Sequence, residues 1–269
     1  VNAFFQKLED AAGKNNSRLC VGLDPRINKI PDPFRKEKDP IFAFNKAVID
    51  AALPHACAFK PNLAFYEAAG PDGLAALKKT VEYIPRDIPV IADAKRGDIG
   101  STAEAYAQAI FDYYRFDAVT LNPLLGTDSI APFLKYEDRG LFILCLTSNP
   151  GSEDFQLPQK LYLSIVRKVK EWNKAGNCGL VVGATKTEYL KEIRALAPDL
   201  CILIPGVGAQ GGDLEKTLKY APDQTGGGYI INVSRGITEP PGEGEFQKRA
   251  AGAAKQYKIR INSQKERKA

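Results

Sequence analysis

The chain has 269 residues, 44% of them hydrophobic, with 37 basic and 32 acidic side chains and a net charge of +5. That suffices for a large core, in one big α/β domain or two small ones, and no stretch approaches the ~20 apolar residues that span a bilayer, so a soluble, intracellular protein is expected. From Lys255 to the end, six Lys or Arg face one acid, Glu266, so the excess charge lies in the tail. The body is neutral, and a distributed nucleic-acid surface is not supported.

In chain order, residues 1–14 form an amphipathic, charge-interspersed segment unlike a signal peptide. Short apolar runs follow at residues 18–24, 56–60, 89–93, 117–122, 140–147, 178–183, 200–205 and 228–233. They are mostly unalternated and rich in Val, Ile, Leu and Cys, as parallel strands covered by helices on the outside should be. Between them lie amphipathic stretches such as 72–83, 161–173 and 186–196, where apolar residues recur at helical spacing. Ser101-Thr102-Ala103-Glu104 offers a capping box, and Asp213-Leu214-Glu215 places acids in a first turn. Eight strand–helix alternations in ~250 residues predict an α/β fold, a single (β/α)8 TIM barrel over residues 1–269 with a basic C-terminal helix or tail from about residue 255. An open doubly wound sheet is the structural alternative. Residues 30–39, rich in Pro and charge, read as an extended first loop.

The five cysteines, Cys20, Cys57, Cys145, Cys178 and Cys201, are odd in number, share no C-x-x-C spacing and lie in or beside apolar runs. They read as small buried thiols. The only histidine, His55, sits at a helix-to-strand junction, so multi-histidine zinc binding and histidine-centred catalysis are discounted.

In such a barrel the site is built at the C-terminal ends of the strands, and the polar residues collect there. Run one ends in Asp24-Pro25, run two in Lys60-Pro61-Asn62, run three in Asp93-Ala94-Lys95 and run five in Thr147-Ser148-Asn149-Pro150-Gly151. Pro61 biases Lys60 toward extended backbone. Asp93 and Lys95 are two apart, so on a strand they point to the same side. Asp98 follows Gly97 on a loop free to turn elsewhere. Read alone, these charges are either an ion-pair network closing the barrel or a site; buried charges need mutual pairing, and such clusters are commoner at sites.

A second signal follows runs seven and eight: Pro205-Gly206-Val207-Gly208-Ala209-Gln210-Gly211-Gly212 and Ser234-Arg235-Gly236-Ile237. As isolated words the glycines are only turns. In this position, beside an arginine, they favour phosphate binding, since glycines admit backbone N–H groups to phosphate oxygens and arginine adds a charged fork.

On these motifs, with Val21-Gly22-Leu23-Asp24 and Asp93-Ala94-Lys95-Arg96-Gly97-Asp98-Ile99, the chain resembles the orotidine 5′-monophosphate decarboxylase family over nearly its whole length. D-x-K-x-x-D alone is shared with related phosphosugar enzymes; six ordered motifs are far more specific. The resemblance implies that orotidine 5′-monophosphate is the substrate and uridine 5′-monophosphate the product, without cofactor or metal, in a homodimer; composition and charge add the expectation of a cytoplasmic protein that binds neither nucleic acid nor membrane. It places Asp93 beside the substrate carboxylate and Lys95 beside the pyrimidine C6, with Lys60 and Asp98 completing a Lys-Asp-Lys-Asp array. It sends Asp98 and Thr102 into the partner subunit's site. It assigns ribose contacts to Asp24 and Lys60, the pyrimidine to Ser148 and the phosphate to Gln210 and Arg235, counts Pro205 and Ser234 with the substrate-binding set, and makes residues 205–213 a closing loop. Two rivals remain: a metal-dependent phosphosugar aldolase or decarboxylase of the same superfamily, whose relatives tend to carry an acid where this chain has Lys60, and a non-catalytic phosphate-ligand or nucleic-acid binder using the basic tail.

Overall fold

The structure, a computed structural model, describes residues 2–207 and 212–263. Eight parallel strands appear where the apolar runs are: β1 (Leu19–Leu23), β2 (Ala58–Pro61), β3 (Ile91–Arg96), β4 (Ala118–Leu121), β5 (Gly140–Leu146), β6 (Cys178–Val182), β7 (Cys201–Ile204) and β8 (Tyr229–Val233). They form one sheet in the order β2-β1-β8-β7-β6-β5-β4-β3. Single parallel bridges, Phe59 to Val90 and Asn62 to Asp93, join β2 to β3 and close the ring. The barrel is therefore as expected, and the doubly wound alternative is set aside.

The strands are buried on both faces almost throughout, β3 only as far as Ala92, because helices cover the outside and side chains fill the inside. One interior cluster takes Cys20 from β1, Ala58 from β2, Ile91 from β3, Ala118 from β4, Phe142 from β5, Val181 from β6, Leu203 from β7 and Ile230 from β8. Helix Ala3–Lys14 adds Phe4 and Leu8 to the same cluster, with the Phe4 ring edge-on to Phe142 at 5.9 Å between centroids. This amphipathic segment plugs the N-terminal end of the barrel, and each buried large side chain contributes about 1.5–3 kcal/mol. The opposite end is left for the strand-end polar residues. All five cysteines are buried and free, as expected.

Local departures are small and physical. The Ser101–Glu104 capping box is not used, because helix Gly100–Gln108 starts earlier, with Ile99 at the cap position and no side chain capping it. Asp213 caps helix Leu214–Tyr220, accepting the Lys216 N–H at 3.1 Å. Residues 30–39 are not a plain extended loop but contain the short helix Asp32–Arg35. The C-terminal helix Phe246–Asn262 starts before residue 255 and buries Ala250, Ala254 and Ile261. No helix among the described residues is long and apolar enough to cross a membrane.

Candidate active site

At the C-terminal end of the barrel lies a cavity of about 570 Å3. Its floor is set by three strands. β2 runs in parallel register with β1, Lys60 opposite Gly22, and carries Lys60 into the interior, where its side chain is only 3% exposed. β3 is regular as far as Ala92, which pairs with Val119 of β4. The next pair is Arg96 with Leu121, so Asp93, Ala94 and Lys95 together face Thr120 alone. This is a bulge, and within it Lys95 takes a left-handed backbone, φ 47°. For a non-glycine residue that costs on the order of 1–3 kcal/mol, and such strain concentrates at functional sites. Asp93 and Lys95 do meet, as their spacing suggests, but the strand between them bulges instead of alternating regularly.

The charges converge on one carboxylate. Lys60 Nζ donates to Asp93 Oδ2, while Lys95 Nζ donates to Oδ1 at 2.5 Å. The Thr120 hydroxyl donates to the same Oδ1 at 3.1 Å. Burial works against charge on Asp93, but Lys60 and then Lys95 outweigh it and hold the carboxyl well below the usual carboxylate range. Burial would likewise lower Lys60; Asp93 and Asp24 more than reverse that, and its pKa ends raised. Asp24 goes the other way: burial pushes its carboxyl up, against the opposing pull of Lys60 and the Ser234 hydroxyl. The site thus holds a firmly ionised Asp93 beside a carboxyl that ionises less readily.

Asp24, at the end of β1, accepts from Ser234 Oγ at 2.5 Å. The glycine two residues before Asp24 permits this, since a Cβ on Gly22 would stand 2.7 Å from Ser234 Cβ. The other carboxylate oxygen, Asp24 Oδ1, is buried without a partner, as is Asn232 Oδ1 on β8. Buried acceptors in this condition are uncommon and fit a ligand that donates to them. Ser148 is placed by its neighbours: its carbonyl accepts from Thr185 Oγ1 at 2.9 Å, and a Cβ on Gly183 would lie 2.6 Å from Ser148 N. Pro205, Ser234 and Arg235 line the same cavity.

Of the residues expected at a site, Asp24, Lys60, Asp93, Lys95, Ser148, Pro205, Ser234 and Arg235 are brought together around this cavity. Asp98 and Thr102 are not: neither lines it, Asp98 Oδ1 accepts the Ile99 N–H at 2.8 Å, and Thr102 is exposed on helix Gly100–Gln108. Gln210 lies outside the described residues. The sequence reading missed Thr120 and Asn232, both cavity-lining. A signal existed, since each is a polar residue between apolar strand neighbours, Thr120 between Val119 and Leu121 and Asn232 between Ile231 and Val233. Among the described residues, no group of three or more His, Cys, Asp or Glu is placed to hold a metal ion.

Comparison with known proteins shows the family of the chain. Residues 17–248 match the family model of orotidine 5′-phosphate decarboxylase / HUMPS. The chain is 48% identical over 266 residues to an orotidine 5′-phosphate decarboxylase of Roseiflexus castenholzii, covering 97% of each chain. It is 47% identical over 272 residues to one from Dehalococcoides mccartyi, covering 98% of this chain and 99% of that protein. Among solved structures, OMP decarboxylase of Leishmania donovani superposes with a TM-score of 0.86 at 39% identity, over 97% of this chain and 98% of that one.

Proposed function

Since the chain belongs to the orotidine 5′-phosphate decarboxylase / HUMPS family, we propose that it converts orotidine 5′-monophosphate to uridine 5′-monophosphate and CO2, without cofactor or metal, as the UMP-forming step of pyrimidine biosynthesis. One observation carries the reading: Asp93 is held ionised between Lys60 and Lys95 on the floor of a cavity large enough for a nucleotide.

In this reading the substrate carboxylate lies against Asp93, and the pyrimidine C6 lies beside Lys95 Nζ. The bond from C6 to the carboxyl carbon breaks, CO2 leaves, and the electron pair stays on C6. The Lys95 ammonium stabilises that carbanion and then gives C6 a proton, which it regains from water. Fixed charges of this kind, in place before the reaction, favour the transition state without reorganisation. Lys60 locks Asp93 from below, and Asp98 supplies the fourth charge. Ser148 takes the pyrimidine ring. Asp24 and Lys60 take the ribose hydroxyls, and the unpartnered Asp24 Oδ1 supports this. The phosphate lies at Arg235, with Ser234, Pro205 and Gln210 around it.

Asp98 and Thr102 act in this scheme from a second copy of the chain, making a homodimer with shared sites. Two facts support that: neither residue lines its own chain's cavity, and the apolar side chains of Ile99, Leu124 and Leu125, on the segments that follow β3 and β4, are exposed. We read the chain as one barrel domain acting on a small molecule in the cytoplasm, with no nucleic-acid or membrane partner. The test is ultraviolet detection of orotidine 5′-monophosphate turnover in excess EDTA, for the chain and for Lys95→Ala. Turnover by the chain and its loss in the variant are expected. Normal turnover by the variant, or activity abolished by the chelator, overturns the reading.

A further inference from the structure

The β3 bulge leaves three residues of one strand opposite a single residue of the next. In a regular ladder, successive backbone N–H groups of that segment would turn alternately to carbonyls on β4 and on β2. Here two consecutive N–H groups, those of Ala94 and Lys95, both point at the hydroxyl oxygen of Thr120, at 3.1 and 3.0 Å. The hydroxyl hydrogen then has one direction left, and it goes to Asp93 Oδ1 at 3.1 Å. A hydroxyl has one donor and two acceptor sites, so Thr120 is fully used. It is also buried, 1% exposed.

These three bonds act on the same charge pair from both sides. By accepting from Ala94 and Lys95, Thr120 satisfies the backbone that the bulge strips of sheet partners, and so holds Lys95 in its left-handed conformation. By donating to Asp93, it fixes the carboxylate oxygen that Lys95 Nζ meets at 2.5 Å. We propose that Thr120 is a positioning residue for the reaction: its hydroxyl sets the Lys95 ammonium and the Asp93 carboxylate in register through the bulge. This rests on the decarboxylase reading only for its effect on turnover, since the geometric role stands without it.

Three variants separate a positioning role from a merely structural one. Thr120→Val keeps the shape and suits a strand while removing all three bonds. Thr120→Ser keeps the hydroxyl, and Thr120→Ala serves if valine does not fold. Small displacements of a reacting group cost rate steeply. Thr120→Val is therefore expected to lower kcat for orotidine 5′-monophosphate on the order of 100-fold with KM changed less than about threefold, and Thr120→Ser to stay within several-fold of the parent. Unchanged kcat in Thr120→Val, or an equal loss in Thr120→Ser, overturns the proposal.

A crystal structure of Thr120→Val reads the geometry without any turnover. Lys95 leaving its positive φ, with its ammonium displaced from Asp93, is expected; both retained overturns the proposal. If the parent chain itself fails to turn over orotidine 5′-monophosphate, the decarboxylase reading falls, while this second measurement still decides the role of Thr120.

Discussion

Lys60 and Lys95 grip opposite oxygens of one carboxylate from different media: Lys60 is 3% exposed and Lys95 49%. The two ammonium groups therefore do different work. Lys60 is locked beneath Asp93 and belongs to the fold as much as to the site. Lys95 faces the cavity, where a ligand would be.

Their substitutions should separate accordingly. Removing one partner of a buried ion pair costs about 3–5 kcal/mol, whereas an exposed pair contributes about 1 kcal/mol or less. Lys60→Ala is expected to lower the thermal unfolding midpoint by about 6–20 °C, given roughly 2–4 °C per kcal/mol at this chain size. Lys95→Ala should leave that midpoint nearly unchanged while abolishing turnover. Calorimetry on both variants, beside the turnover assay, checks the pair of outcomes.

The same array fixes the acid limb of stability. The folded-state pKa of Asp93 lies below its unfolded value of about 3.9. In acid the unfolded chain therefore binds the proton first, and stability falls as pH falls. This contribution is complete above about pH 5 and is lost progressively below about pH 4. Lys60, raised above its unfolded value of about 10.4, contributes fully below that pH and loses its share as pH rises through the folded pKa. Urea unfolding from pH 2.5 to 9 should show the stability difference between parent and Asp93→Asn constant from about pH 5 to 9, then narrowing in acid. A difference that persists undiminished at pH 2.5 would contradict the depressed carboxyl.

Subunit exchange tests where Asp98 acts. In a dimer of Lys95→Ala with Asp98→Ala, one site regains both residues and the other loses both. After complete random exchange of equal amounts, half the dimers are hybrid, so activity should recover to about a quarter of the parent's. No recovery, with exchange verified by mass-tagged protomers, places Asp98 outside a shared site.

The basic C-terminus should matter through packing. Ile261 is fully buried, and Asn262 Nδ2 donates to Asn16 O at 2.7 Å. Deleting residues 255–269 is expected to destabilise by at least the about 2–5 kcal/mol of a large-to-small core change at Ile261. Replacing Lys255, Lys258 and Arg260 by Gln should shift stability by only about 0.5 kcal/mol per site, with turnover intact. Loss of turnover on charge removal, without loss of fold, would return the tail to a binding role.

The barrel itself is legible in the chain, and for a plain reason. Parallel strands buried on both faces must be short continuous apolar runs, and runs such as 140–147 and 178–183 sit within a residue of β5 and β6. Polar residues at the ends of those runs, Asp24, Lys60 and Asp93 among them, had to fall at one end of the barrel, since parallel strands share a direction. What tertiary structure alone decided depends on partners far apart in sequence. Thr120 organises Asp93 from 27 residues away, and Ser234 reaches Asp24 across 210. Neither contact has a local pattern. The bulge arises because β4 offers one residue to three of β3, a mismatch visible only when the two strands are paired. The burial of Lys60, which turns a strand-end lysine into the fixed counter-charge of Asp93, follows from barrel closure and from nothing within its own segment.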